Sequence, residues 1–239
     1  MKIKIIPCLK DNYSYLIVDE EKNTACIVDP SESEPIIKYL ENNKIDLKFI
    51  LNTHHHYDHV GGNIKLKKKY KAKVVGFKSD KDRIPDIDIE VTDQEIWKYE
   101  NFEAKIMHIP GHTLGHICFY FYKDKSVFTG DTLFSLGCGR IFEGTYLQMF
   151  ESLNKLKKLP LDTKIFCGHE YTLQNSKFCI LHDSKNKHLS EKIINIKKKI
   201  ENNLPTIPST IKEELECNIF FKSIDLKTFS KLRDLKDNF

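Results

Sequence analysis

The sequence predicts an α+β fold in which sheets are covered by helices, with a smaller helical part at the C-terminal end. Two patterns carry this. Up to about residue 171, short β-branched or apolar runs bounded by polar turns alternate with segments of helical periodicity. After Gly168 glycine disappears and the chain reads as helices alone. The size agrees, since 239 residues bury a sizeable core as one large domain or as a medium domain with an appendage.

Strands are expected at 14–18, 25–28, 47–51, 73–77, 104–109, 117–122 and 126–128, each a β-branched or apolar run between polar turns. The opening Met1-Lys-Ile-Lys-Ile-Ile is also strand-like. Between these, 34–42 reads as a helix, with Ser33 as N-cap and Pro35 in the first turn. Helical periodicity recurs at 62–70, and at 146–159 through Leu147, Phe150, Leu153 and Leu156. In the tail, Ile193, Ile194, Ile196 and Ile200 form a face over 190–204, and Thr210 followed by Glu213 is a capping box. Phe229, Leu232 and Leu235 lie three apart on an expected last helix and would dock it, leaving Arg233 and Lys236 on the opposite side.

Composition narrows the function classes. With 40% hydrophobic and 30% charged residues the chain is globular rather than disordered. No apolar run approaches the roughly 18–20 residues of a membrane helix. A net charge of +4 and a pI of about 8.5 fall short of a nucleic-acid footprint and suit an anionic small substrate. Seven cysteines at irregular spacing, with no C-x-x-C, argue against a disulfide scaffold or a cysteine zinc ribbon. Reduced thiols, and an N-terminus without an apolar signal core, place the expectation in the cytoplasm.

The chemistry sits in the histidines. Of ten, seven fall between His54 and His116, and an eighth is His169. The densest stretch, Thr53-His54-His55-His56-Tyr57-Asp58-His59, follows the 47–51 strand. If the chain stays extended there, His54, His56 and Asp58 point the same way, while His59, before Gly61-Gly62, turns to a second centre. Imidazole and carboxylate suit borderline metals such as zinc. A single histidine is better explained as a solvated polar residue, but H-x-H-x-D-H at a strand end is not. Three further loops repeat the arrangement of apolar strand, small residue and potential ligand, at His112, Asp131 and His169. Four such loops point to two metals.

This pattern resembles the metallo-β-lactamase superfamily and, within it, the glyoxalase II (hydroxyacylglutathione hydrolase) family. The metal signature is common to the superfamily. Gly137-Cys138-Gly139-Arg140, Gly168-His169-Glu170-Tyr171 and the terminal Arg233-x-x-Lys236 narrow the resemblance, and Asp11-Asn12-Tyr13, Gly111-His112-Thr113 and Gly130-Asp131-Thr132 extend it over the whole chain. It implies an αββα sandwich over residues 1–171, the metal-binding catalytic domain, and a helical substrate-binding domain over 172–239. It further implies that His54, His56 and His112 hold one divalent metal and Asp58, His59 and His169 another, with Asp131 bridging. Asp58 and Asp131 are thus also the catalytic carboxylates. Zinc is the first expectation, with iron or manganese as alternatives. His55, Tyr57, His108 and His116 are expected to pack or hydrogen-bond near the site, and His182 and His188 to lie on the surface.

On the substrate side, the resemblance implies that Arg140, Arg233 and Lys236 hold the glycine carboxylate of glutathione and that Tyr171 donates to its peptide backbone. Arginine stands at 140 where the family commonly has lysine, and Phe142 stands where it often has tyrosine, which removes a hydroxyl contact. The implied activity is hydrolysis of S-D-lactoylglutathione and related 2-hydroxyacylglutathione thioesters to D-lactate and glutathione, in methylglyoxal detoxification. A water acidified by two cations supplies the nucleophile, and the thiolate leaves without a strong general acid. A glutathione thioester is the expected partner of a monomer, with no nucleic acid or membrane. A secreted β-lactamase would need an export signal, a persulfide dioxygenase would use one iron and consume oxygen, and a tRNA-processing nuclease would be more basic. A non-enzymatic scaffold would have lost ligands, whereas all seven are present.

Overall fold

The computed structural model describes residues 1–239. Contacts gather the chain into two units, one of Met1–His108 with Gly115–Asp124 and one of Ile109–Leu114 with Lys125–Phe239. In the first, strands β1 (Lys2–Cys8), β2 (Asn12–Asp19) and β3 (Thr24–Val28) form an antiparallel meander. Strands β4 (Asp46–Leu51), β5 (Lys73–Phe77) and β6 (Ile87–Val91) continue that sheet in parallel. Parallel neighbours need crossovers, and helices α1 (Glu34–Asn43), α2 (Tyr57–Val60) and α3 (Asn63–Tyr70) lie in them. Ile36 and Leu40 of α1 and Leu66 of α3 close over Leu16, Ile27, Leu47, Ile50 and Val74. Ser33 precedes α1 as expected, but its hydroxyl donates to the Glu34 side chain rather than capping the backbone. A second antiparallel set, β7 (Ile96–Tyr99), β8 (Phe102–His108) and β9 (Ile117–Phe121), completes the unit. Trp97 and Tyr99 of β7 pack edge-on against Phe49 of β4, at 5.1 and 4.5 Å between ring centres.

In the second unit, β10 (Ser126–Gly130) pairs in parallel with β13 (Lys164–Cys167), and β13 pairs with the short β14 (Ser209–Thr210). A small hairpin of β11 (Leu133–Phe134) and β12 (Gly137–Cys138) follows β10. Helix α4 (Tyr146–Leu156) starts at a capping box of Thr145 and Gln148. It ends at Leu156, short of the expected 159, and it buries Met149 while Leu147 is exposed, because Met149 packs directly on Gly111.

The remainder holds α5 (Thr172–His182), α6 (Lys187–Glu201), α7 (Ile211–Cys217), α8 (Ile219–Lys222) and α9 (Leu226–Asp237). It is not purely helical, since β14 returns to the sheet. Helix α6 begins three residues before the expected start, because Asn186 accepts from the Leu189 backbone N–H as N-cap. It buries Leu189 and Ile196, whereas Ile194 faces solvent. The Thr210–Glu213 capping box forms as expected. On α9 the buried residues are Phe229 and Arg233, and Leu235 is exposed. The cation at 233 therefore shares the buried face with Phe229, four residues before it, while two steps of three carry Leu235 off that face. No helix is long and apolar enough to cross a membrane.

One buried carboxylate organises the hairpin end. Glu214 of α7 accepts from the Leu136 N–H at 2.8 Å and from Asn218 Nδ2 at 3.0 Å, and pairs with Lys192 Nζ at 3.1 Å. Burial alone would lower the Lys192 pKa, but Glu214 and Glu213 outweigh it and raise it. Replacing Glu214 by Ala takes the acceptor from the Leu136 N–H and the nearer carboxylate from the largely buried Lys192 ammonium, so the unfolding free energy should fall by about 3–5 kcal/mol. The half-buried Glu216→Ala, which loses only an i,i+4 pair with the exposed Lys212, should cost under about 0.5 kcal/mol. Urea denaturation of the two variants checks this, and equal losses would show that Glu214 has no such role.

Candidate metal centre

The first cluster is built on the ends of β3 and β4. Asp29, just past β3, has a positive φ of 48°, and its N–H donates to the Leu51 carbonyl. Its buried carboxylate accepts from the Thr53 N–H at 2.8 Å, the Thr53 hydroxyl at 2.6 Å and His59 Nδ1 at 3.0 Å. This pulls the chain out of the strand. The histidine-rich segment is not extended: it bends after Asn52 and enters α2, with the His59 N–H on the His56 carbonyl. His54, His56 and Asp58 are therefore placed by a turn and a helix start, not by strand alternation. The ring of His54 lies 4.7 Å from His56 and 4.2 Å from His59, and Asp58 Oδ2 lies 3.7 Å from His59 Nε2.

The hydrogen bonds decide the tautomers. An ionised carboxylate only accepts, so His59 carries its proton on Nδ1 and its lone pair on Nε2. The Thr53 hydroxyl donates to Asp29, so at 3.0 Å it accepts from His54 Nδ1, which leaves the His54 lone pair on Nε2 as well. Asn12 donates to the Asp58 carboxylate and to its backbone carbonyl, at 3.0 and 3.1 Å. His116 stacks on His54 at 4.6 Å. His55 reaches the buried Asp80 carboxylate at 3.3 Å, and His108 stacks on Phe77. Tyr57 does not pack: it is 79% exposed because α2 turns it outward. His182 and His188 lie on the surface as expected.

The second cluster lies in the other unit. A register shift between Phe128 and Gly130, with Gly130 at φ 47°, turns the chain at the end of β10 before the buried Asp131. Asp131 Oδ2 lies 3.6 Å from His112 Nε2 and 3.3 Å from His169 Nε2. The Arg140 carbonyl accepts from His112 Nδ1 at 2.8 Å, so the His112 lone pair is also on Nε2. Gly139 makes this approach possible, since a Cβ there would sit 1.9 Å from the Asp131 carbonyl oxygen.

Beside this cluster lie the substrate-side residues expected from the sequence. Tyr171 stacks on His169 at 4.6 Å, nearly parallel. Phe142 is exposed, with its ring 5.1 Å from that of His112. Arg140 is exposed and pairs with Asp237. Arg233 is only 3% exposed: it donates to the Cys138 carbonyl at 2.7 Å and to Asp237 at 2.8 Å. Lys236 Nζ lies over the rings of Phe178 and Phe239, and burial, then the charges of Arg233 and Arg140, lowers its pKa.

The donors fit divalent cations. Two ligands at 2.0–2.1 Å in a tetrahedral shell stand roughly 3.4 Å apart. The Asp58–His59, Asp131–His112 and Asp131–His169 separations of 3.7, 3.6 and 3.3 Å match that spacing. Asp29, His54 and His59 also present grouped donor atoms, but the Asp29 oxygens are already used by Thr53 and His59, which makes Asp29 a partner of the candidate ligands. Sequence reasoning passed over Asp29, although Val28-Asp29-Pro30 repeats the strand-then-acid arrangement of the other loops. It passed over Asp237 too, for which one sequence offers no signal beyond its place four residues after Arg233.

Residues 10–169 match the Metallo-beta-lactamase superfamily, and residues 170–239 match the Hydroxyacylglutathione hydrolase C-terminus. The chain is 72% identical over 239 residues, the whole of both chains, to a hydroxyacylglutathione hydrolase of Pelagibacter ubique (strain HTCC1062). It is 43% identical over 231 residues, 97% of this chain and 91% of the other, to one of Bradyrhizobium sp. (strain ORS 278). Among solved structures, ETHE1 from Myxococcus xanthus superposes with a TM-score of 0.75 at 23% identity, over 98% of this chain and 90% of that one. BLEG-1 B3 metallo-beta-lactamase gives a TM-score of 0.73 at 21% identity, over 93% of this chain and all of the other. These structural matches show the fold class expected from the sequence, the metallo-β-lactamase αββα type with a helical C-terminal region. By the sequence matches, the chain belongs to the metallo-beta-lactamase superfamily and, within it, to the hydroxyacylglutathione hydrolases.

Proposed function

We propose that this chain hydrolyses S-D-lactoylglutathione and related 2-hydroxyacylglutathione thioesters to the 2-hydroxy acid and glutathione, as a step of methylglyoxal detoxification. The observation that carries the reading is Asp131, one of whose oxygens lies 3.6 Å from His112 Nε2 and 3.3 Å from His169 Nε2, in the unit that also holds Arg140, Tyr171, Arg233 and Lys236. Family membership supports it. In this reading His54, His56 and His112 hold one divalent cation, Asp58, His59 and His169 a second, and Asp131 is shared. Zinc suits the mixed nitrogen and oxygen donors, as do iron and manganese. The buried free thiols suit a reducing compartment, and we place the reaction in the cytoplasm.

Bound cations supply Lewis acidity and acidify water to near neutrality. The chain's residues do the rest. Asp29, Thr53 and the Arg140 carbonyl keep three imidazoles in the ligating tautomer, and Asn12 fixes the Asp58 carboxylate. Arg140 and Lys236 attract the glycine carboxylate, while Arg233, being buried, adds charge from behind and anchors Cys138. Tyr171, flat on His169, presents its hydroxyl to the peptide of the thiol part. These contacts persist from ground state to transition state, so they act on KM.

Assay of the purified chain on S-D-lactoylglutathione, with elemental analysis, tests the reading. Activity should track a content close to two divalent ions per chain, vanish on chelation and return on reloading. Full activity at one ion would sink the two-metal assignment, and a fully loaded chain inert toward glutathione thioesters would sink the function.

Asp29→Asn should weaken metal binding by about 10- to 100-fold, because the amide cannot hold the His59 proton in place as a carboxylate does. Competition with a chromophoric chelator reads this directly, and an unchanged affinity would remove Asp29 from the role given to it.

Lys236→Met should raise KM by about 10-fold or more with a smaller change in kcat, as expected for one charge-assisted contact. The penalty should shrink on a thioester whose glycine carboxylate is an amide. An equal penalty on both substrates would mean that Lys236 acts through folding or a general field.

A further inference from the structure

One carboxylate meets both arginines of the C-terminal cluster. Asp237 Oδ1 accepts from Arg233 Nη2 at 2.8 Å, and the same oxygen lies 3.5 Å from Arg140 Nε. The two arginines are unlike. Arg233 is buried, donates through Nη1 to the Cys138 carbonyl at 2.7 Å, and has its guanidinium carbon 5.3 Å from the centre of the Phe220 ring. It is a fixed post. Arg140 is exposed along its side chain, while its backbone carbonyl is fixed on His112. Left to itself, its long side chain would sample many rotamers in water.

Taking the function proposed above as its premise, we infer that Asp237 is a positioning residue for Arg140, holding the guanidinium through Nε and leaving its two terminal nitrogens as a fork for the substrate carboxylate. A guanidinium has five N–H donors in a planar frame, so one edge can be anchored while the end binds a carboxylate with two parallel hydrogen bonds. An ammonium has no such division, since its three donors rotate about one point. Arginine at 140 and Asp237 therefore form one device. The buried Arg233 fixes Asp237, Asp237 orients Arg140, and the Arg140 backbone ties this recognition point to His112. The distance from carboxylate to reacting carbonyl is thereby set by rigid parts.

Steady-state kinetics of wild type, Asp237→Asn, Arg140→Lys and the double variant test this, on a glutathione thioester with a free glycine carboxylate and on its glycine amide. For the free carboxylate, each single variant should raise KM roughly 3- to 10-fold, the scale of a partly exposed oriented ion pair, with kcat within about 2-fold. On the amide neither should change KM appreciably. Asp237→Asn should add little in the Arg140→Lys background, because the Nε anchor is already gone. Three results would each overturn the inference: an unchanged or lowered KM in Asp237→Asn, the same penalty in both backgrounds, or the same penalty on both substrates. Arg140→Lys changes an exposed side chain, so an unchanged KM in that variant overturns the inference even if Asp237→Asn fails to fold. A wild type that cleaves neither thioester instead refutes the premise.

Discussion

The metal-facing half of the first unit depends on the buried carboxylate of Asp29. A desolvated carboxylate is costly unless its oxygens are used, and here three donors use them: a backbone N–H, a hydroxyl and an imidazole. Its position comes from the sheet, since β3 and β4 pair in parallel with Val28 opposite Leu51. Asp29 and Thr53 thus leave neighbouring strands one residue apart in alignment. A register slip of one residue would turn Thr53 away and release both His54 and His59. Strand pairing is in this way converted into the tautomer of two imidazoles.

The second unit repeats the device with other acids. Glu214 holds the turn between the two strands of the hairpin, and so the Gly137–Arg140 stretch whose last carbonyl fixes His112. Glu170, next to His169, accepts from the Thr206 N–H and hydroxyl at 2.9 and 2.6 Å, and that hydroxyl lies 2.6 Å from Thr172 Oγ1. This ties the segment leading into β14 to the loop that carries His169. The loops bearing His54 and His59, His112 and His169 are each pinned by a carboxylate or a backbone carbonyl. Loops past strand ends have few apolar partners, and hydrogen bonds fix direction where packing fixes only proximity.

What was legible in the sequence follows the reach of each signal. Strand runs such as 73–77 and the capping box at Thr210 are local, and they form where expected. The candidate ligands stood out because four loops repeat one arrangement of strand, small residue and potential donor. The conformation of His54 to His59 was not, because the bend is imposed by Asp29, 24 residues before Thr53. The face of α9 was misjudged for a related reason. A buried arginine looks like a solvated one in sequence, and one of its two acceptors, the Cys138 carbonyl, is 95 residues away. Glu214 was silent likewise, since its partners Leu136 and Lys192 come from distant segments. Long-range polar contacts are the part of a fold that periodicity does not encode.

The cysteines complete the chemical argument. A catalyst that cleaves thioesters meets a side reaction, transfer of the acyl group to one of its own thiols. Such transfer needs an accessible thiolate. None of the seven cysteines is in a disulfide and all are buried, which closes the steric route. Desolvation closes the electrostatic one: it pushes Cys167, next to the His169 loop, up to about 12, and Cys179 likewise to about 12. At neutral pH a thiol of that kind is ionised in roughly one molecule in 10⁵. Cys138 is the most exposed to risk, since it adjoins Gly139 and Arg140 and the Arg233 charge favours its thiolate. Its pKa is nevertheless raised, because burial outweighs that charge. The cation that anchors the Cys138 carbonyl therefore does not activate its sulfur, and water remains the nucleophile within reach of a bound thioester.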